Sequence, residues 1–106
     1  MGAGDAGTRL VMGPPTKKSE ASAIGRRFGE NVIWLRKQAG LSQQAIAERA
    51  GLHRVEVSLI ERGLRVPRLE TILKLAGAIE VDPCDLIREM RWENATASRS
   101  GRFVLD

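Results

Sequence analysis

LSQQAIAERAGLHRVEVSLIERG, residues 41–63, places its apolar side chains at the spacing of two short helices on either side of one glycine. Ser42 can cap the first helix, whose inward positions are Ile46, Ala47 and Ala50, and Leu41 before the cap meets Ile46 as a hydrophobic staple. Gly51 follows the last apolar position and supplies the left-handed backbone that ends a helix without a Cβ penalty. The second helix repeats the device: Leu52 precedes the cap position at His53, and Val57 and Ile60 continue the apolar stripe. Ala47 is the small residue opposite Val57, so the two helices can cross closely at a steep angle.

That crossing defines a helix-turn-helix, and the residues left off its buried stripe are the informative ones. Arg54, Val55, Glu56, Ser58, Leu59 and Arg62 cover the exposed face of the second helix, concentrated toward the end that such a helix points into the major groove. Arg54 is the strongest base-reading candidate, since a guanidinium can take guanine O6 and N7 as a bidentate pair, and Val55 can touch a thymine methyl. Glu56 has two readings: it can accept from cytosine N4, or bond back to the backbone N–H of His53, and the usual helix-start pattern favours the second. His53 either faces phosphate or caps its helix.

With Arg36 upstream, LSQ at 41–43, Ile46-Ala47, Gly51, SLIERG at 58–63, Pro67, LETILKLA and VDPCDLI, the chain closely resembles the Cro/C1-type (XRE family) helix-turn-helix domains over residues 24–90. The resemblance implies a compact, five-helix, lambda-repressor-like all-α domain that binds double-stranded DNA. It further implies that Gln43 holds phosphate, that residues 54–62 read bases, and that Arg36 pairs with Glu61. His53 stands where the family usually has Ser or Thr, and Arg68 where a small hydroxyl residue often caps the fourth helix. The reading that follows is a sequence-specific regulator, a repressor acting as a homodimer on a pseudo-palindromic operator. It reads bases with residues 54–59 and clamps phosphates with Gln43, His53, Arg62, Gly63 and Arg65. Relatives of this fold also serve as antitoxins or contact the transcription machinery, so a protein partner is the alternative.

Composition sets wider bounds. The chain has 106 residues, 17 basic against 13 acidic, enough for one small domain with tails and suited to a polyanionic partner. A lone Cys84 excludes an internal disulfide, and no apolar run approaches the about 20 residues of a membrane span. Residues 1–9 are glycine-rich and polar without the apolar stretch of a secretory leader, so a reducing cytoplasm is the expected location.

Residues 1–21 read as a flexible arm, because Pro14 and Pro15 interrupt any continuous helix. Lys17 and Lys18 there either touch phosphate or belong to a solvated tail. The domain follows at 22–92. Helix one is expected from Ser22 to Ala39 with Phe28, Val32 and Leu35 inward. Helix four should span Leu69 to Ile79 and bury Leu69, Ile72, Leu73, Leu75 and Ala76. Helix five opens with Asp82 as cap and Pro83 at its first position, and should run to about Trp92. Residues 93–106 form a C-terminal tail that is a candidate dimerisation element.

Other signals carry little. Gly2, Gly4 and Gly7 spell a dinucleotide-binding pattern with no strand before it, and the sequon at Asn94 lacks a secretory context. Cys84 and His53, the one imidazole, begin different helices with no third group to orient a base, so no catalytic site is expected and Cys84 reads as a packing residue. One His and one Cys cannot complete a zinc site, and no cofactor is called for. Ile33 and Trp34 should turn partly outward, since Val32 and Leu35 face in. Trp34 either lies flat on its own domain or joins Trp92, Phe103, Val104 and Leu105 in a dimer interface.

Overall fold

Val32, Ile46, Val57, Ile60, Leu75 and Leu86 are each under 2% exposed, and between them they come from every helix among the described residues. The computed structural model describes the backbone of residues 15–106 and the side chains from residue 23 onward. The first fourteen positions of the expected arm, the Gly2, Gly4 and Gly7 pattern, and the side chains of Lys17 and Lys18 lie outside the described residues. In chain order the elements are α1 (Pro15–Gln38), α2 (Gln43–Ala50), α3 (Arg54–Glu61), α4 (Leu69–Ile79), α5 (Pro83–Leu86) and two strands, β1 (Met90–Glu93) and β2 (Arg102–Leu105).

Local chemistry sets the boundaries. Ser42 Oγ accepts from the Ala45 N–H at 3.0 Å, and Gly51, at φ 70°, lets its own N–H and that of Leu52 return to Glu48 and Ala47 carbonyls. The turn is therefore closed by backbone bonds alone, as the left-handed cap requires. Asp82 accepts at 2.8 Å from the N–H of Cys84, which is exposed and not the packing residue expected, and so opens α5. Its carboxyl is held below the ordinary range by that hydrogen bond.

Four expectations are corrected. Helix one begins at Pro15 rather than Ser22, because proline is tolerated at a helix's first position, where its missing N–H has no intrahelical partner. Helix four has the expected span, but Leu69 and Leu73 are 70% and 52% exposed. Its buried face is instead Thr71, Leu75, Ala76, Ala78 and Ile79, an apolar stripe rotated from the one drawn. Helix five stops at Leu86, far short of Trp92. The Leu86 carbonyl is taken by Asn31 Nδ2 at 2.9 Å, and Glu89 adopts φ 66°, which turns the chain away from the helix axis. The fourth correction follows: the fold is mostly helical, not wholly so.

Residues 90–105 make an antiparallel hairpin with Met90 opposite Leu105 and Trp92 opposite Phe103. The Trp92 and Phe103 rings meet edge to face at 5.0 Å, a favoured aromatic geometry. Gly101 lies against the Trp92 ring, where a Cβ would collide with it. Val104 and Leu105 are half-buried, and Arg27 of α1 donates to the Asp106 carbonyl at 3.3 Å. The hairpin is thus seated on α1.

Glu93 is the hairpin's electrostatic knot, accepting from Arg99, Arg102 and Arg91. Those hydrogen bonds, in that order of strength, hold its carboxyl down from the ordinary 4.5 to about 2. A lowered folded-state pKa stabilises above the unfolded value and is lost as pH falls through the folded one. The hairpin is therefore expected to loosen between about pH 4.5 and 2, read from the Trp92 indole resonance, with Glu93→Gln abolishing that dependence. A Trp92 signal that titrates equally in Glu93→Gln would contradict the assignment.

Candidate nucleic-acid interface

The helix-turn-helix converges on a buried carboxylate. Glu61, the last residue of α3, has a side chain only 3% exposed and accepts from three directions. Arg36 Nε reaches Oε2 at 2.7 Å and Nη2 reaches Oε1 at 3.1 Å, a bidentate pair with the geometry that matches guanidinium to carboxylate. Gln43, the first residue of α2, donates from Nε2 to Oε1 at 2.8 Å. The remaining Arg36 arm, Nη1, donates to the Leu41 carbonyl at 2.9 Å. One carboxylate consequently ties together the end of α1, the start of α2 and the end of α3. A primary amide carries two N–H donors, so Gln43 keeps one beyond the bond to Glu61.

A second contact sets the depth of this junction. Gly29 of α1 is buried against the last carbonyls of α3: a Cβ there would fall on the oxygens of Ile60 and Glu61 and 2.8 Å from the Glu61 carbonyl carbon. Sequence reasoning passed over this residue. A glycine inside a helix sacrifices about 1 kcal/mol of propensity, and Gly25 and Gly29 at a four-residue spacing were the signal that a backbone approaches there.

On this base α3 presents its first turn outward. Arg54 is exposed and Val55 is 61% exposed, while Glu56, Ser58 and Leu59 are intermediate. Two capping expectations are corrected. His53 holds the cap position with extended backbone, yet its side chain makes no capping bond. Among the described residues the Glu56 carboxylate takes no hydrogen bond from the His53 N–H. Its place in the first turn is instead favourable for a carboxylate through the helix dipole. Arg68 likewise caps α4 by backbone conformation alone.

Charge pairing divides the arginines into two groups. Arg27, Arg36, Arg49, Arg88, Arg91, Arg99 and Arg102 each lie within 4.0 Å of a carboxylate. Arg26, Arg54, Arg62, Arg65 and Arg68 form no ion pair among the described residues, and all five are exposed. Arg54 opens the reading helix, and Arg62, Gly63 (φ 74°) and Arg65 follow its end. Cationic side chains left without counter-charges around an exposed helix are the electrostatic footprint of a polyanion site.

The apolar candidates divide differently. Trp34, Trp92 and Phe103 are 62%, 51% and 43% exposed, whereas Val104 and Leu105 are partly used within the chain. Trp34 also lines a shallow hollow between α1 and α5 with Asn31, Leu35, Asp85 and Arg88. No helix among the described residues is long and apolar enough to cross a membrane.

Comparison with known proteins agrees with this geometry. The family described as Helix-turn-helix, HTH_3, matches residues 32–86, which hold α2 to α5 and the C-terminal end of α1 that carries Arg36. The chain belongs to this family of XRE-type DNA-binding transcription regulators, which is not a class of enzymes. It is similar to control protein C.BamHI of Bacillus amyloliquefaciens, 39% identical over 57% of this chain and 75% of that protein. It is also similar to the HTH-type transcriptional regulator y4dJ of Sinorhizobium fredii, 36% identical over 56% of this chain and 77% of that one. Among solved structures, the restriction-modification controller protein C.AhdI of Aeromonas hydrophila superposes with a TM-score of 0.59 at 42% identity, over 60% of this chain and 97% of its own. The hairpin at 90–105 lies beyond the family match.

Proposed function

We propose that this protein is a sequence-specific transcription regulator that binds a pseudo-palindromic operator as a homodimer, of the kind that controls the genes of a restriction–modification system. It acts as a repressor where that operator overlaps a promoter, and it works without a cofactor, in the cytoplasm where its DNA lies. The observation that carries the reading is the exposed first turn of α3, with Arg54 and Val55 outermost, held on the Arg36–Glu61–Gln43 junction and flanked by cations that have no internal partners. Likeness to C.BamHI and C.AhdI, both described as control proteins, supports the regulatory role.

In this reading Arg54 takes a guanine edge, Val55 a thymine methyl, and Glu56, Ser58 and Leu59 complete the base contacts. Gln43, through its second N–H, His53, Arg62, Arg65 and the backbone after Gly63 hold phosphates. Two-fold pairing follows from size: one eight-residue reading helix spans too few base pairs to single out an operator. Trp34, Trp92 and Phe103 supply exposed apolar surface for a second copy, with Val104 and Leu105 at its margin.

Arg54→Ala is expected to cost roughly 1–3 kcal/mol on the cognate duplex and to relax preference at one base pair. Binding to the duplex and to its single-base variants measures both. If every base preference survives the substitution, Arg54 is not a reading residue.

A further inference from the structure

Two adjacent arginines on α1 have opposite surroundings. Arg27 is occupied within the chain, 3.8 Å from both the Glu30 and Glu89 carboxylates and donating to the Asp106 carbonyl. Arg26 lies instead against the segment that follows the reading helix. A Cβ on Gly63 would come within 2.7 Å of Arg26 Cγ and 2.9 Å of its Cα. Its side chain is exposed and has no acidic partner among the described residues.

Glycines hold it there. A Cβ on Gly25 would lie 3.3 Å from Val66 Cγ2 and 3.5 Å from the Gly63 carbonyl, and Gly29, one turn on, abuts the end of α3. The backbone of α1 thus rests directly on residues 60–66, and the Arg26 stem starts beside the loop that carries Arg62 and Arg65. The N–H groups of Arg65 and Val66 donate to no carbonyl among the described residues.

We infer that Arg26 is a phosphate ligand, so that the clamp beside the reading helix is built from two separate segments, α1 and the loop at 63–66. The inference rests on the DNA-binding role proposed above. Arg26, Arg62 and Arg65 carry like charges on neighbouring segments, and a phosphate between them would supply the counter-charge through charge-assisted hydrogen bonds. Because the stem is already seated on Gly63, less side-chain freedom is lost on binding than for an arginine free in solvent.

Arg26→Gln keeps most of the stem over Gly63 and removes the charge. Lys37→Gln is the control: it removes the same charge from an exposed site eleven residues along α1, about 16 Å away and beyond the Debye length at physiological salt. Fluorescence anisotropy on a duplex selected from a random pool, and on a random-sequence duplex of equal length, reads both variants across a salt series. Arg26→Gln is expected to weaken both complexes about three- to tenfold and to reduce the slope of log K against log salt by about 0.9, the value for one phosphate. Lys37→Gln should leave the slope unchanged, and matching thermal melts show that both variants are folded. An Arg26→Gln slope equal to the wild type's, or an equal loss in Lys37→Gln, overturns the assignment while leaving DNA binding intact. A wild-type protein with no salt-dependent affinity for either duplex overturns both.

Discussion

Glu61→Ala is expected to lower folding stability by about 3–5 kcal/mol, the range for stranding one partner of a buried ion pair. Arg36 is 13% exposed at its side chain and Glu61 3%, so neither charge can recover its hydration without local unfolding. The loss should exceed the roughly 0–1 kcal/mol of an exposed pair, and equilibrium urea unfolding measures it. Replacing both residues, Arg36→Met with Glu61→Leu, should recover much of the loss, because an apolar pair leaves no unpaired charge behind. A loss below about 1 kcal/mol in Glu61→Ala would mean that the carboxylate behaves as an exposed one. The double variant separates stability from function: with Gln43 released from Glu61, it should fold yet hold DNA more weakly than the wild type.

The second large effect concerns a residue with no side chain. Gly29→Ala should destabilise by about 2–3 kcal/mol, at the upper end for overpacking, since its Cβ meets carbonyl groups that no rotamer change can move aside. Helix propensity alone argues the opposite, because alanine is preferred by about 1 kcal/mol. Gly77 supplies the comparison: it lies in α4 with nothing within 4 Å of the position a Cβ would take, so Gly77→Ala should stabilise by about 0.5–1 kcal/mol. In melting temperature the pair should diverge, down by about 10 °C for Gly29→Ala and up by about 4 °C for Gly77→Ala. Shifts of the same sign would show that α1 does not rest on the end of α3.

Much of the helical frame can be read from residue order, because its signals are local. Ser42, Gly51, Asp82 and Pro83 act within a few positions of themselves, and Ile46, Ala47, Ala50, Val57 and Ile60 repeat at helical spacing. Contacts between distant segments are less legible. Gly29 against the Ile60 and Glu61 carbonyls, or Arg26 over Gly63, depends on how α1 crosses α3, which no window of sequence encodes. The outward turn of Leu69 and Leu73 has the same origin: α4 is apolar on more than one side, and its neighbours choose the buried face. Early termination of α5 was hidden for another reason. The capping group for Leu86 is the amide of Asn31, 55 residues earlier in the chain, and the pairing of MRWE with RFVL is a non-local event between two four-residue segments. The charged residues of the site were accessible to inspection, but not which of them are already neutralised, and that distinction separates Arg26 from Arg27.

Selection of bound duplexes from a random-sequence pool, followed by titration of the enriched duplex and an unselected one across a salt series, tests the central claim most directly. The expected result is a two-fold-symmetric consensus whose half-sites lie about one helical turn apart, or a multiple of that, bound far more tightly than the unselected duplex and with an affinity that falls steeply with salt. No enrichment, or equal affinity for the two duplexes, would contradict a sequence-reading role for α3.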